Sequence, residues 1–92
     1  MNIAHADNGT KGRFYIEHNG ITVAAMNYTH AGNERIIIDH TEVSDVLRGQ
    51  NVGKQLLMQA VDYARNKNLK IIPLCPFAKS LFDKLPEIRD VL

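Results

Sequence analysis

Two cations, two glycines and an asparagine fall within Leu47-Arg48-Gly49-Gln50-Asn51-Val52-Gly53-Lys54. Glycine and asparagine tolerate φ > 0 or let another backbone or a ligand come close. The stretch runs directly into a helical pattern. A helix leaves its first N–H groups without intrahelical partners and has the positive end of its dipole there, so the loop can hold an anion. The dipole contributes only about 0.3–1 kcal/mol toward one anion, whereas each hydrogen bond to a charged group contributes roughly 1.5–3 kcal/mol. Convergent N–H groups must therefore do most of the holding, with Arg48 and Lys54 adding charge. The chemistry indicated is phosphate binding; the plainer alternative is a loop shaped only to start a helix.

Cys75, the single cysteine, lies between an apolar run and Pro76, where it would cap a second helix. A cysteine at a helix N-terminus can have its pKa drawn from about 8.5 into the range ~3.5–7.5, and Lys79 one turn later adds positive potential. Such a thiolate can serve as a nucleophile or a thioester partner. The alternative is a buried, inert thiol. His40, near the end of a strand expected beside Cys75, could act as a general base or pair with the thiolate; otherwise it is an ordinary strand histidine. Asp39, His40 or Glu42 could hold an amine, and Glu42 could also draw a proton from it; the alternative for a strand-end carboxylate is a solvated charge. His5, His18 and His30 show no metal-ligand spacing. One cysteine excludes an intramolecular disulfide and a cysteine-cluster metal site, so no metal is expected.

These residues need a scaffold that brings them together. Arg13–His18 alternates, Asn19-Gly20 is a two-residue hairpin signal, and Ile21–Thr29 returns as a second strand. After a turn at Ala31, Gly32 and Asn33, Arg35–Val43 makes a third, with Ile36, Ile38 and His40 on one face and Ile37 and Asp39 on the other. A helix over about Asn51–Asn66 is marked by Val52, Leu56, Ala60 and Ala64. Leu69–Leu74 reads as a buried strand, joined to the third by a right-handed parallel crossover. Pro73 cannot donate to a ladder, so these two strands should part there, opening a gap beside the phosphate loop. Pro76–Leu85 predicts a short helix, ended by Pro86. Residues 1–12, polar and with little periodicity, are expected to form a loose arm, or a short approach to the first strand, in a single domain.

Ninety-two residues allow one sheet with one or two helices, burying about 60–65% of the unfolded surface. With 45% apolar and 23% charged residues, disorder is not expected. No apolar run approaches the roughly 18 residues that span a membrane, and the N-terminus lacks a signal-peptide core, so a cytoplasmic location is the default expectation. A net charge of +1 gives no support for nucleic-acid binding. Residues 1–45 hold three Lys/Arg against six Asp/Glu, and residues 46–92 eight against four, so an anionic ligand would be met by the second half.

The run Arg48-Gly49-Gln50-Asn51-Val52-Gly53 resembles the Arg/Gln-x-x-Gly-x-Gly/Ala acyl-CoA signature of the GNAT superfamily of N-acetyltransferases, with Asn51 where the family usually has glycine. The segments IDHTEV, LRGQNVGK and PLCPFAK together are similar to a subfamily of very small GNAT-like proteins, and the likeness covers about Phe14 to Phe82. It implies an α/β (α+β) fold: a three-stranded antiparallel meander, a crossover helix, a further parallel strand and a short C-terminal helix. It also implies acetyl-CoA as co-substrate, an amine as acceptor, and the cysteine after the last strand as catalytic residue. The pyrophosphate would then sit on Arg48–Lys54, the pantetheine would pass Val43, and the thioester would approach Cys75 and the adjoining Pro76, Phe77 and Lys79. A non-catalytic acyl-CoA-binding module is the alternative.

Overall fold

The computed structural model describes residues 2–92. One sheet holds five strands in chain order: β1 Ala4–Asp7, β2 Lys11–His18, β3 Ile21–Ala31, β4 Arg35–Val43 and β5 Lys70–Pro73. The first four pair antiparallel, and β4 with β5 is parallel. Helix α1 (Val52–Lys67) makes the crossover, α2 (Pro76–Lys84) follows β5, and a 3₁₀ helix over Pro86–Val91 closes the chain. The expected meander, crossover and parallel return are all present. Asn19 and Gly20 both have positive φ, as a two-residue hairpin of primed type demands.

Alternation decides which face is covered. Phe14, Ile16, Ala24, Met26, Tyr28, Ile36 and Ile38 are buried on one side of the sheet, in one cluster with Leu56, Leu57, Ala60, Val61 and Ala64 of α1, Ala78 and Phe82 of α2, and Ile88 and Val91 of the 3₁₀ helix. The alternate residues Arg13, Tyr15, Val23, Ala25, Asn27 and Ile37 are not buried. All helical layers therefore lie on one face. Arg65 ties the C-terminal turn to α1 through a two-pronged bond to Asp90 of 3.0 and 2.8 Å.

The expected loose arm is corrected by the structure. Ala4–Asp7 is a fifth, edge strand, paired Ala4 to Tyr15 through Asp7 to Gly12; Met1 lies outside the described residues. What anchors it is polar. Tyr28 donates its phenolic hydrogen to Asp7 at 2.6 Å, and His30 and Tyr63 reach the same carboxylate oxygen at 2.7 and 3.3 Å. His5 stacks on Phe14 with centroids 4.2 Å apart and bonds to the Tyr28 hydroxyl. Since that hydroxyl donates to Asp7, His5 must be the donor to it. Burial opposes the Asp7 charge, but bonds from Tyr28, the Gly9 amide and His30 outweigh it and hold the carboxyl well below the usual range. Burial also lowers the His5 pKa, with Asp7 opposing and His30 assisting.

Both shifts have the same sign for stability. The Asp7 contribution is present above the ordinary 3.8 and is lost as pH falls below it; the His5 contribution is present above 6.5 and is lost as pH falls from there. β1 is expected to loosen on acidification in two stages. Asp7→Asn should accelerate amide exchange across Ala4–Asp7 at neutral pH and cost about 1–3 kcal/mol. Unchanged exchange there would show that β1 is held by its backbone ladder alone.

The strand register carries one irregularity that matters for the site. Asn27 pairs with His40 and Tyr28 with Ile38, so Asp39 is an extra residue in β4, a β-bulge. Asp39 and His40 both turn to the uncovered face, and Thr41 and Val43 take the helix side. The expectation that His40 shares a face with Ile36 and Ile38 is thereby corrected.

Candidate active site

A 3₁₀ turn over Asp45–Leu47 delivers the chain from β4 to the loop. Arg48, exposed, is paired with Asp45 at 2.7 Å. Asn51 then adopts the left-handed conformation, φ 56° and ψ 32°, directly before α1. This is the conformation that glycine or asparagine accepts at least cost, so the asparagine does the backbone work expected of the signature. The first helical bond runs from the Gln55 N–H to the Asn51 carbonyl at 3.0 Å. The N–H groups of Asn51, Val52, Gly53 and Lys54 have no hydrogen-bond partner among the described residues. They converge where the helix dipole is positive.

Gly53 has a second purpose. It is buried, and a Cβ there would run into the Phe77 ring. The glycine thus lets the starts of α1 and α2 meet. Beside this contact opens a cleft of about 490 Å³, lined by Thr41, Val43, Leu47, Arg48, Gly49, Asn51, Val52, Gly53, Lys54, Phe77 and Leu81. Its origin is the parting of β4 and β5. Their ladder ends at Ile38 opposite Pro73, after which one backbone bond, Cys75 N–H to the Ile38 carbonyl at 3.1 Å, joins the two segments. β4 continues to Val43 with that edge unpaired.

Cys75 is the N-cap of α2 and is buried. Its sulfur lies 3.5 Å from Thr41 Oγ1. Burial pushes the thiol pKa up, but the Thr41 hydroxyl and the N–H groups of Ala78 and Phe77 more than offset this, and the net shift is downward. No side-chain hydrogen bond caps the helix, so those amides act on the sulfur without a formed bond. Thr41→Val is expected to raise the thiol pKa, moving the pH midpoint of Cys75 alkylation upward and slowing it at neutral pH. An unmoved midpoint would show that the hydroxyl does not stabilise the thiolate.

The structure brings Val43, Arg48, Gly49, Asn51, Val52, Gly53, Lys54 and Phe77 together around the cleft. Gln50, Pro76 and Lys79 are exposed and do not line it. Gln50 instead offers its carbonyl to Gln55 Nε2 at 3.0 Å. Cys75 sits one side chain away, behind Thr41. His40 faces the other side of the sheet, exposed, 3.6 Å from Glu42, so no pairing with the thiolate is formed. Sequence reasoning missed Thr41, Leu47 and Leu81. Thr41 was recoverable, because it lies two residues from Val43 and strand alternation puts both on one face.

A family model described as GCN5-related N-acetyl-transferase matches residues 13–91. The chain belongs to this family. The match spans nearly all of the domain, including the loop, the parted strands and Cys75. A GCN5-like protein of Staphylococcus aureus, solved by NMR, is 41% identical, with 98% of this chain and 87% of that one covered and a TM-score of 0.72. A GNAT family acetyltransferase of Elizabethkingia anophelis, solved with acetyl-CoA bound, shares the fold at 19% identity and TM-score 0.63, covering 82% of this chain and 52% of that one. Among curated relatives, Protein NATD1 of Xenopus tropicalis is 29% identical over 63 residues, which is 68% of this chain and 58% of the relative. The human NATD1 match is also 29% identical, over 68% of this chain and 56% of that protein. The matched region thus spans little more than half the length of these relatives.

Proposed function

We propose that the chain uses acetyl-CoA to acetylate an amine. The observation that carries this reading is the set of unpartnered N–H groups at the head of α1, which open onto a cleft that ends at Thr41, with Cys75 one side chain behind it. Those amides, with Lys54 and Arg48, suit a pyrophosphate. The cleft wall from Val43 to Phe77 suits a long thiol arm. In the Elizabethkingia relative of the same fold, acetyl-CoA is the bound ligand, which supports the choice of cofactor.

The finer reading gives Cys75 the acetyl group in transit. Its thiolate attacks the thioester carbonyl, the carbon–sulfur bond to coenzyme A breaks, and the departing thiolate takes up a proton. A neutral amine then attacks the acetyl-cysteine, the new carbon–sulfur bond breaks, and the amine proton returns to solvent or to sulfur. The lowered thiol pKa and the one-residue separation of Cys75 from the cleft support this order. Incubation with acetyl-CoA followed by intact-mass measurement is expected to show one added acetyl group on wild type and none on Cys75→Ala. An unmodified wild type that still acetylates amines would replace the covalent route with direct attack. Failure to turn over any amine while binding coenzyme A would reduce the chain to a binding module.

A further inference from the structure

The face of the sheet that carries no helix has a hollow of about 750 Å³. Its walls follow from the strand register. Arg13, Asn27 and His40 stand opposite one another across β2, β3 and β4. The next row holds Lys11 and Thr29, and the bulge adds Asp39, whose carboxylate accepts a 2.6 Å bond from Thr29 Oγ1. The β2 end therefore carries two cations, beside Asp7 of β1, whose carboxylate is taken up by Tyr28 and His30, and the β4 end carries a carboxylate and an imidazole.

These charges are not spent on each other. The Arg13 guanidinium lies over the Tyr15 ring at 4.1 Å, a stacking that leaves its N–H edges available. Neither Arg13, Lys11 nor Asp39 forms an ion pair among the described residues. β2 and β4 are two strand spacings apart, roughly 10 Å, too far for side chains of both signs to satisfy one another fully. A ligand with an anionic end and a cationic end fits that separation. The β4 end also adjoins the cleft: Asp39 and His40 face the hollow, and the next residue, Thr41, lines the cleft and touches Cys75.

We propose that this hollow is the acceptor site, and that the acceptor is a small zwitterion whose carboxylate meets Lys11 and Arg13 and whose primary amine meets Asp39 and His40. The proposal rests on the acetyl-transfer reading above. The bound ammonium gives one proton to His40, and the freed nitrogen forms its bond to the acetyl carbon through the gap beyond Pro73. As that bond forms, the carbon–sulfur bond breaks and the sulfur leaves as thiolate; one of the two remaining amine protons goes to it and the other stays on the amide nitrogen.

The test uses 6-aminohexanoate and hexylamine, which share an amine but not a carboxylate. Amide shifts of the isotope-labelled full chain are followed during titration, and acetylation is then measured with acetyl-CoA present. Expected are shifts centred on Asn27, Thr29, Asp39 and His40, about tenfold tighter binding of 6-aminohexanoate than of hexylamine, and an N-acetyl product. In Arg13→Gln the preference should collapse toward equality, and Asp39→Asn should weaken both ligands. Equal binding of the two amines, shifts elsewhere, or none at all would overturn the proposal. If hexylamine is acetylated with no preference for the zwitterion, only this assignment fails. If neither coenzyme A binding nor acetylation of any amine is seen, the transferase reading itself fails.

Discussion

Gly53→Glu is expected to weaken coenzyme A binding about 100-fold, equivalent to roughly 2.7 kcal/mol. Two features of this residue act together. Its Cβ would point at the Phe77 ring, so that ring, which lines the cleft, must move. The added carboxylate then enters the space in which the amides of Asn51 to Lys54 face an anion, and like charges at that range repel. Gly53→Ala separates the causes, since it moves the ring without adding charge and should lose about tenfold. Lys54→Gln should lose less and flatten the salt dependence. Calorimetric titration against wild type reads all three, with far-UV circular dichroism as the check on α1. Affinity of the glutamate variant within about threefold of wild type would place the pyrophosphate away from this loop.

The second large effect concerns the scaffold. Phe82 is 2% exposed and belongs to the cluster that joins α2 to the sheet and to the C-terminal 3₁₀ helix. Phe82→Ala is expected to cost about 3–5 kcal/mol. A domain of this length has roughly 5–14 kcal/mol in total, so the variant should melt about 15–30 °C lower. Because Cys75 is the N-cap of the same helix, loosening α2 should also expose the thiol, and faster alkylation well below the melting temperature would report it. A loss under about 1 kcal/mol would show that the site can collapse around the missing ring.

Most of the frame was legible because local chemistry agrees with the fold. The hairpin at Asn19-Gly20, the apolar stripe from Val52 to Ala64, and prolines at 73, 76 and 86 each mark an element or its end. The parting of β4 from β5 follows from Pro73 alone. Two features could not be read that way. β1, with the sequence Ala4-His5-Ala6-Asp7, has no apolar alternation to reveal a strand, and it is held through Tyr28 and Tyr63, residues far along the chain. The bulge at Asp39 left no local mark either, since the run from Arg35 to Val43 reads as one unbroken strand. That extra residue reversed the face of His40 relative to Ile36 and Ile38. The loop residues were found by type and spacing, whereas the dual use of Gly53 appeared only once Phe77 was in place.

The sheet repeats the order of the chain from β1 to β5, and this has a kinetic consequence. Three neighbouring pairings close over short turns, which costs little loop entropy and allows rapid assembly. The parallel pairing of Arg35–Ile38 with Lys70–Pro73 must wait until the whole crossover helix is in place. Docking of β5 should thus be the late event in folding, and the residues that assemble last are the ones that bring Cys75 to Thr41.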